Sequence, residues 1–78
     1  MAMLRLFATV RVAAGTGKAS FAGGTVQEVV DAAIGEYGDD FAALVPTCRI
    51  WVNGAVADPQ TTVSDSDEVA LLPPVSGG

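Results

Sequence analysis

The segment "TVQEVVDAAIGEYG" constrains this 78-residue chain more than any other. Thr25 and Glu28 have the spacing of a capping box, in which a hydroxyl and a carboxylate each satisfy a free backbone N–H at the start of a helix. Val26, Val29, Val30, Ala33, Ile34 and Tyr37 recur at helical spacing and form one apolar stripe, and Gly38 supplies a C-terminal stop. Gly35 costs such a helix roughly 1 kcal/mol relative to alanine without breaking it. A helix with one apolar stripe must bury it against another layer, and the segments on both sides of this helix read as strands.

Residues 3–12, "MLRLFATVRV", alternate: Leu4, Leu6, Ala8, Val10 and Val12 fall on one face, and Arg5, Phe7, Thr9 and Arg11 on the other. The pattern predicts a half-buried strand. "AAGTGK" supplies a glycine-rich turn and "KASFAGG" a short second strand, so residues 3–22 are expected to form a hairpin. After the helix, "DDFAALVP" predicts a short helical turn begun by Asp39 or Asp40 and ended by Pro46. "TCRIWVNG" alternates again, with Cys48, Ile50 and Val52 inward and Arg49 and Trp51 outward. Asn53-Gly54 is a hairpin turn because both residues tolerate positive φ. "AVAD" begins the returning strand, and "PQTTVSDSD" is a polar loop around Val63 with a turn at Asp65-Ser66-Asp67. "EVALL" is the last strand, ended by Pro73-Pro74, which have no N–H to give its ladder. The expected fold class is therefore α+β, one mixed sheet with the main helix packed on one face. A β-grasp arrangement would make the first and last strands neighbours, a pairing that periodicity does not establish. Residues 1–72 are expected to form the domain and residues 73–78 a flexible C-terminal tail.

Composition excludes most catalytic chemistry. There is no histidine and one cysteine, Cys48, so Ser–His and Cys–His nucleophile pairs, internal disulfides and the usual zinc sites are out of reach, and no metal is expected. Cys48 falls on the inward face and reads as a small core residue rather than a reactive thiol. Asp65, Asp67 and Glu68 lack EF-hand spacing and read as a solvated turn, and "GTGK" lacks the full spacing of a phosphate loop. A net charge of −5 without a basic stripe argues against nucleic acid and for a partner with a basic face. No apolar stretch approaches the ~20 residues of a membrane span. The first residues lack the marks of a signal peptide, so a cytoplasmic location with no membrane partner is expected.

The remaining candidate is the end, "VALLPPVSGG". Pro73 and Pro74 stiffen the exit from the last strand, and the six residues 73–78 reach at most about 20 Å. Val75, Ser76, Gly77 and Gly78 make a thin end, since glycine has no side chain to obstruct a narrow channel. A carboxylate is a poor electrophile until adenylation by ATP activates it, after which it accepts sulfur to become a thiocarboxylate or is captured by an amine. Neither step needs a catalytic side chain on this chain. The competing reading of two terminal glycines is a frayed end. Phe7 with Arg5 and Arg11, then Trp51 and Leu72, are candidate interface residues, against the alternative that Phe7 packs under a loop or that the Trp51 strand is covered.

"LPPVSGG" resembles the terminus of the MoaD/ThiS sulfur-carrier family, most closely its molybdopterin synthase small-subunit (MoaD) branch. The likeness extends through "DSDEVALLPPVSGG", through "LFATVRVAAG" with Phe7, Ala8, Arg11, Ala14 and Gly15, and through "TVQEVV" and "VNG". One departure is Ser66, where the family often has glycine. The resemblance implies a ubiquitin-like β-grasp fold with a protruding Gly-Gly tail. It implies that a MoeB-like ATP-dependent adenylyltransferase activates Gly78 and that a rhodanese-type donor converts it to the thiocarboxylate. The tail, with Gly77, Ser76, Val75, Pro74, Pro73 and Leu72, together with Phe7 and Arg11, then engages a MoaE-like large synthase subunit. There sulfur passes to cyclic pyranopterin monophosphate in molybdenum cofactor biosynthesis. On this reading the chain holds no permanent cofactor, is not catalytic alone, and serves as the sulfur-carrying subunit of a sulfurtransferase. The same architecture also serves carriers for cysteine or thiamine biosynthesis and ubiquitin-like modifiers conjugated through Gly78. An interaction module with an inert tail is the third possibility.

Overall fold

The computed structural model describes residues 1–74. The chain runs β1 (Ala2–Leu6), α1 (Ala8–Ala14), β2 (Lys18–Phe21), α2 (Val26–Tyr37), α3 (Asp39–Leu44), a 3-10 turn (Val45–Thr47), β3 (Arg49–Val52), β4 (Ala55–Val56) and β5 (Glu68–Leu72). One five-stranded sheet has the order β2-β1-β5-β3-β4. β1 and β5 run parallel at its centre, from Met3 opposite Glu68 to Leu6 opposite Leu71, and the other pairings are antiparallel. The first and last strands are thus neighbours. This is the mixed sheet with a helix on one face that the order of elements predicts, in a β-grasp arrangement.

The cap on α2 forms largely as its sequence dictates. The Thr25 hydroxyl accepts the Glu28 N–H at 3.2 Å. The Glu28 carboxylate accepts the Gly24 N–H at 2.7 Å, one residue earlier than a standard capping box. Val26, Val29, Val30 and Ala33 of the predicted stripe are buried, while Ile34 and Tyr37 pack at the margin of the core. They meet Leu4 and Leu6 of β1 and Val69 and Leu71 of β5, all essentially inaccessible to water. Phe41 of α3 is fully buried, its ring 5.2 Å from that of Tyr37 in an edge-on contact. Val63 closes the core from the polar loop, which is laced to the start of α2 by Val26 N–H to the Thr61 carbonyl and Val63 N–H to the Gly24 carbonyl, each 3.0 Å.

The strand expected over residues 3–12 ends at Leu6. Ala8 adopts φ 51, which turns the chain out of the sheet, and Ala8–Ala14 form a helix. Val10 remains buried, but Val12 is 81% exposed instead of facing the core. The alternation at Leu4, Leu6, Ala8, Val10 and Val12 is genuine only as far as Leu6. Beyond it Val10, Ala13 and Ala14, spaced three and four apart, contact the core as one helical face. Gly15, at φ 77, donates its N–H to the Arg11 and Val12 carbonyls and stops this helix rather than tightening a hairpin. β1 and β2 still pair antiparallel, Ala2 opposite Phe21 and Arg5 opposite Lys18, with α1 as their connection.

Other local expectations hold. Asn53 and Gly54 have φ of 51 and 83, as the hairpin between β3 and β4 requires. Asp39 begins α3, with Pro46 in the 3-10 turn that follows. Ser66 fits its turn without a left-handed backbone, so glycine is not needed there. "GTGK" leads into β2 rather than a helix, unlike a phosphate loop. No helix among the described residues is long and apolar enough to cross a membrane.

Truncating a central core side chain tests this packing. Leu4→Ala should lower unfolding free energy by about 2–5 kcal/mol in urea denaturation, a large fraction of the stability of so small a domain. A loss under about 1 kcal/mol would contradict its place at the centre of the core.

Candidate docking face and tail exit

β5 is the middle strand of the sheet, so the chain leaves the fold from its centre rather than from an edge. Leu72 is the last ladder residue, opposite Arg49. Pro73 is half-buried and Pro74 exposed. The predicted tail residues Val75, Ser76, Gly77 and Gly78 lie outside the described residues.

The helices cover only one face of the sheet. Strand alternation sends Leu4, Leu6, Val69, Leu71, Ile50 and Val52 into the core and the intervening residues to the opposite, open face. Register aligns them in rows. Lys18, Arg5, Ala70, Trp51 and Val56 are successive neighbours across all five strands. A depression of about 330 Å³ lies beside the tail exit, lined by Phe7, Trp51, Gly54, Glu68, Ala70 and Leu72.

Phe7 reaches this depression by an unexpected route. It is the extended residue between β1 and α1, with φ −128 and ψ 152, and 39% of its surface remains in water. The Arg5 guanidinium lies 5.8 Å from the Phe7 ring centre and 3.8 Å from a Glu68 carboxylate oxygen. Both charged groups are about half exposed, so that ion pair orders the surface more than it stabilises the fold. Phe7, Trp51 and Leu72, which the sequence singles out separately, are therefore gathered at one place. Arg11 is not among them. It sits in the last turn of α1 with its side chain over Gly17, where an added Cβ would come within 3.1 Å of Nε. The sequence reading missed Gly54, Glu68 and Ala70 as members of this surface. The alternation in "EVALL" carries the signal for two of them, because it places Glu68 and Ala70 on the face of Leu72.

A polar clasp fixes the strand that carries the tail. Asn53 Nδ2 donates to Asp67 Oδ1 at 2.9 Å, the Glu68 N–H donates to Asn53 Oδ1 at 2.9 Å, and the Ser64 N–H donates to Asp67 Oδ2 at 2.8 Å. The β3–β4 turn is thereby tied to the start of β5. The Asn53 amide and then the Ser64 backbone N–H hold the Asp67 carboxyl below its ordinary value; desolvation opposes them, and the Ser64 hydroxyl adds a lesser lowering. Asp67 thus serves the turn, in agreement with the structural reading of the acidic cluster.

Cys48 is half-buried and its thiol donates to the Leu44 carbonyl at 3.4 Å. Burial pushes the thiol pKa up, partly offset by a hydrogen bond from Thr47, so the nucleophilic thiolate is scarce at neutral pH. It borders a cleft of about 450 Å³ between α2, the 3-10 turn and β3, whose lining is apolar apart from Gln27 and the thiol itself. That cleft lies on the helix side of the sheet, away from the tail exit.

Because the Asp67 pKa is depressed in the fold, its contribution to stability is present above the ordinary carboxylate value. It is lost as pH falls through the folded value. Asp67→Asn should lower the thermal midpoint at neutral pH, and the gap from wild type should narrow as the solution is acidified. A gap independent of pH would contradict the clasp.

The ThiS family model matches residues 4–78. No curated protein shows a significant match to the chain. Among solved structures, small archaeal modifier protein 1 (SAMP1) from Haloferax volcanii is 32% identical with a TM-score of 0.80, covering 99% of this chain and 98% of that one. SAMP1 from Methanosarcina acetivorans is 28% identical with a TM-score of 0.89, over 99% and 95% of the two chains. The complex of subunits 1 and 2 of molybdopterin-converting factor from Helicobacter pylori contains a chain with the same fold. It has a TM-score of 0.72 and 24% identity over 99% of this chain and 97% of that one. The sheet order, the exit at its centre and the family match over nearly the whole length agree: this chain belongs to the ThiS family of ubiquitin-like sulfur carriers.

Proposed function

We propose that the chain is the sulfur-carrying small subunit of a molybdopterin synthase and acts through the C-terminal carboxylate of Gly78. The observation that carries this reading is the position of the end of β5, at Leu72 and Pro73. This central strand ends beside an open face where Phe7, Trp51 and Leu72 offer apolar surface to a partner. Residues 73–78 form the tail that reaches into that partner.

The chemistry asks little of this chain's side chains. The Gly78 carboxylate attacks the α-phosphorus of ATP on a MoeB-like adenylyltransferase, releasing pyrophosphate and leaving an acyl adenylate. The persulfide of a rhodanese-type donor displaces AMP to give an acyl disulfide, and a second thiol of the donor or activating enzyme then cleaves the S–S bond, ending as a disulfide and leaving the thiocarboxylate. In a MoaE-like large subunit the thiocarboxylate sulfur bonds to a side-chain carbon of cyclic pyranopterin monophosphate, displacing an oxygen substituent, and water then cleaves the acyl–sulfur bond, leaving sulfur on the pterin and regenerating the Gly78 carboxylate. The absence of histidine and the raised pKa of the Cys48 thiol suit a carrier whose reactive group is its own terminus. The double proline before "VSGG" favours the molybdopterin branch over the cysteine and thiamine carriers, and the two-subunit Helicobacter pylori structure supplies a precedent for the fold in such a pair.

A second reading is favoured by a specific observation, the 32% and 28% identity to two small archaeal modifier proteins. There the activated Gly78 is captured by a lysine amine to give an isopeptide. Reconstitution with the large subunit, the activating enzyme, a sulfur donor and cyclic pyranopterin monophosphate separates the two. Wild type should yield molybdopterin. Deletion of Gly78 should abolish the product with the thermal midpoint unchanged, and Trp51→Ala should weaken the complex about tenfold or more, as removal of a central interface aromatic does. Conjugates on lysines with no sulfur on the pterin would instead establish the modifier.

A further inference from the structure

The helix layer covers the sheet unevenly. Leu4 and Leu6 of β1 and Val69 and Leu71 of β5 are essentially inaccessible to water. Cys48 and Ile50, on the same side of the sheet at β3, stay half-buried. The cleft of about 450 Å³ opens there, walled by Val30 and Ile34 of α2 and by Ala42 and Val45 across from them. A second depression of about 240 Å³ shares Cys48, Ile50 and Pro59 with it, so the two form one continuous groove. Its walls are tied together, since the Gln27 N–H donates to the Pro59 carbonyl at 2.9 Å. Its floor is not a free sheet edge: Ile50 lies opposite Leu71 of β5, and its carbonyl accepts the Ala57 N–H at 2.9 Å. The two polar side chains of the cleft already have partners. Gln27 Nε2 donates to Asp31 Oδ1 at 2.7 Å, and the Cys48 thiol donates to the Leu44 carbonyl. An occupant therefore gains from apolar contact rather than from strand pairing or from convergent polar groups.

The rim of this groove carries charge of one sign. Asp31 stands one turn beyond Gln27, on the flank of α2 that borders the groove. Asp39 shares a face of α3 with Ala42, three residues further on. Asp58 lies in the second depression, next to Pro59. All three carboxylates are exposed. No cation lines the main cleft, and Arg49, which borders the second depression, is sent to the open face by strand alternation. We propose that this groove docks a basic amphipathic helix of a partner protein. Apolar side chains three and four residues apart on that helix enter between α2 and β3, and lysines or arginines beside them meet Asp31, Asp39 and Asp58. The acids set orientation and encounter rate more than affinity, and the net charge of −5 draws the same partner from a distance. A second copy is a poor occupant because two chains of −5 repel. The groove is on the helix side of the sheet, away from Leu72, so its occupant does not compete with a partner that receives the tail. The proposal goes beyond the carrier reading and does not depend on the fate of Gly78.

The test titrates the full chain with a synthetic helical peptide that has leucines along one face and lysines on either side of them. Two signals are read: backbone amide shifts by NMR, and the rate at which iodoacetamide alkylates Cys48, the only thiol in the chain. Shifts should cluster at Val30, Ile34, Ala42, Cys48 and Ile50, and saturation with peptide should slow alkylation about tenfold or more as the groove closes over the thiol. A peptide with glutamate in place of lysine should bind about tenfold more weakly or worse. Asp31→Lys and Glu36→Lys change the net charge equally, but Glu36 is on the opposite flank of α2. Asp31→Lys should weaken the lysine peptide about fivefold or more, and Glu36→Lys should leave it within about twofold. Equal losses in the two variants, both melting like wild type, would reduce the effect to net charge and overturn the site. Equal binding of the glutamate peptide would overturn the basic occupant, and shifts centred on Arg5, Trp51 and Leu72 would move the peptide to the open face. Self-association of wild type in sedimentation, reversed by the peptide, would overturn the proposal in favour of a second copy. Absence of binding by wild type would overturn it outright, while a sulfur gain at Gly78 in the same preparation would leave the carrier reading standing.

Discussion

Everything functional in this molecule depends on the parallel pairing of β1 with β5. It joins Met3 through Leu6 to Glu68 through Leu71, so the first and last strands meet in the middle of the sheet. Closing a loop of that length costs conformational entropy, but the cost grows only with the logarithm of loop length. Burial of Leu4, Leu6, Val69 and Leu71 against α2 and α3 offsets it. The pairing fixes which residues face water, since one strand register determines every side chain on both faces. It also delivers the end of β5 to the centre of a broad surface, beside Phe7 and Trp51.

Much of this was legible in the sequence, and the exceptions have physical causes. α2 could be read residue by residue because its cap, stripe and stop agree with one another. The Asn53-Gly54 turn and the alternation of β3 were equally plain. The run from Leu4 to Val12 misled because apolar residues at every second position fit a strand, while Val10, Ala13 and Ala14 also fit a helical face. Local pattern does not choose between them; tertiary packing does. Gly15 carried the discriminating signal as a helix stop, but glycine serves hairpin turns just as well. The grouping of Phe7, Trp51 and Leu72 follows from cross-strand register, which no short-range pattern encodes. The parallel pairing itself came from resemblance to a family rather than from periodicity.

The same contrast applies to charge. A net value of −5 describes the molecule seen from far away, whereas a docking partner meets one face at close range. Alternation along β1, β2 and β3 sends Arg5, Lys18 and Arg49 to the open side, while the exposed positions of α2 and α3 collect carboxylates. The fold thereby sorts one composition into two unlike surfaces. The Asn53–Asp67 clasp ties the β3–β4 turn to the start of the last strand, and burial pushes up the pKa of the Cys48 thiol.

The account stands or falls on the chemical fate of Gly78. Intact-mass measurement of the chain incubated with its activating enzyme, ATP and a sulfur donor tests it directly. A gain equal to the replacement of one terminal oxygen by sulfur, localised to Gly78 by fragmentation, is the predicted result. An unchanged mass, with the enzyme shown to be active on another carrier, would contradict it.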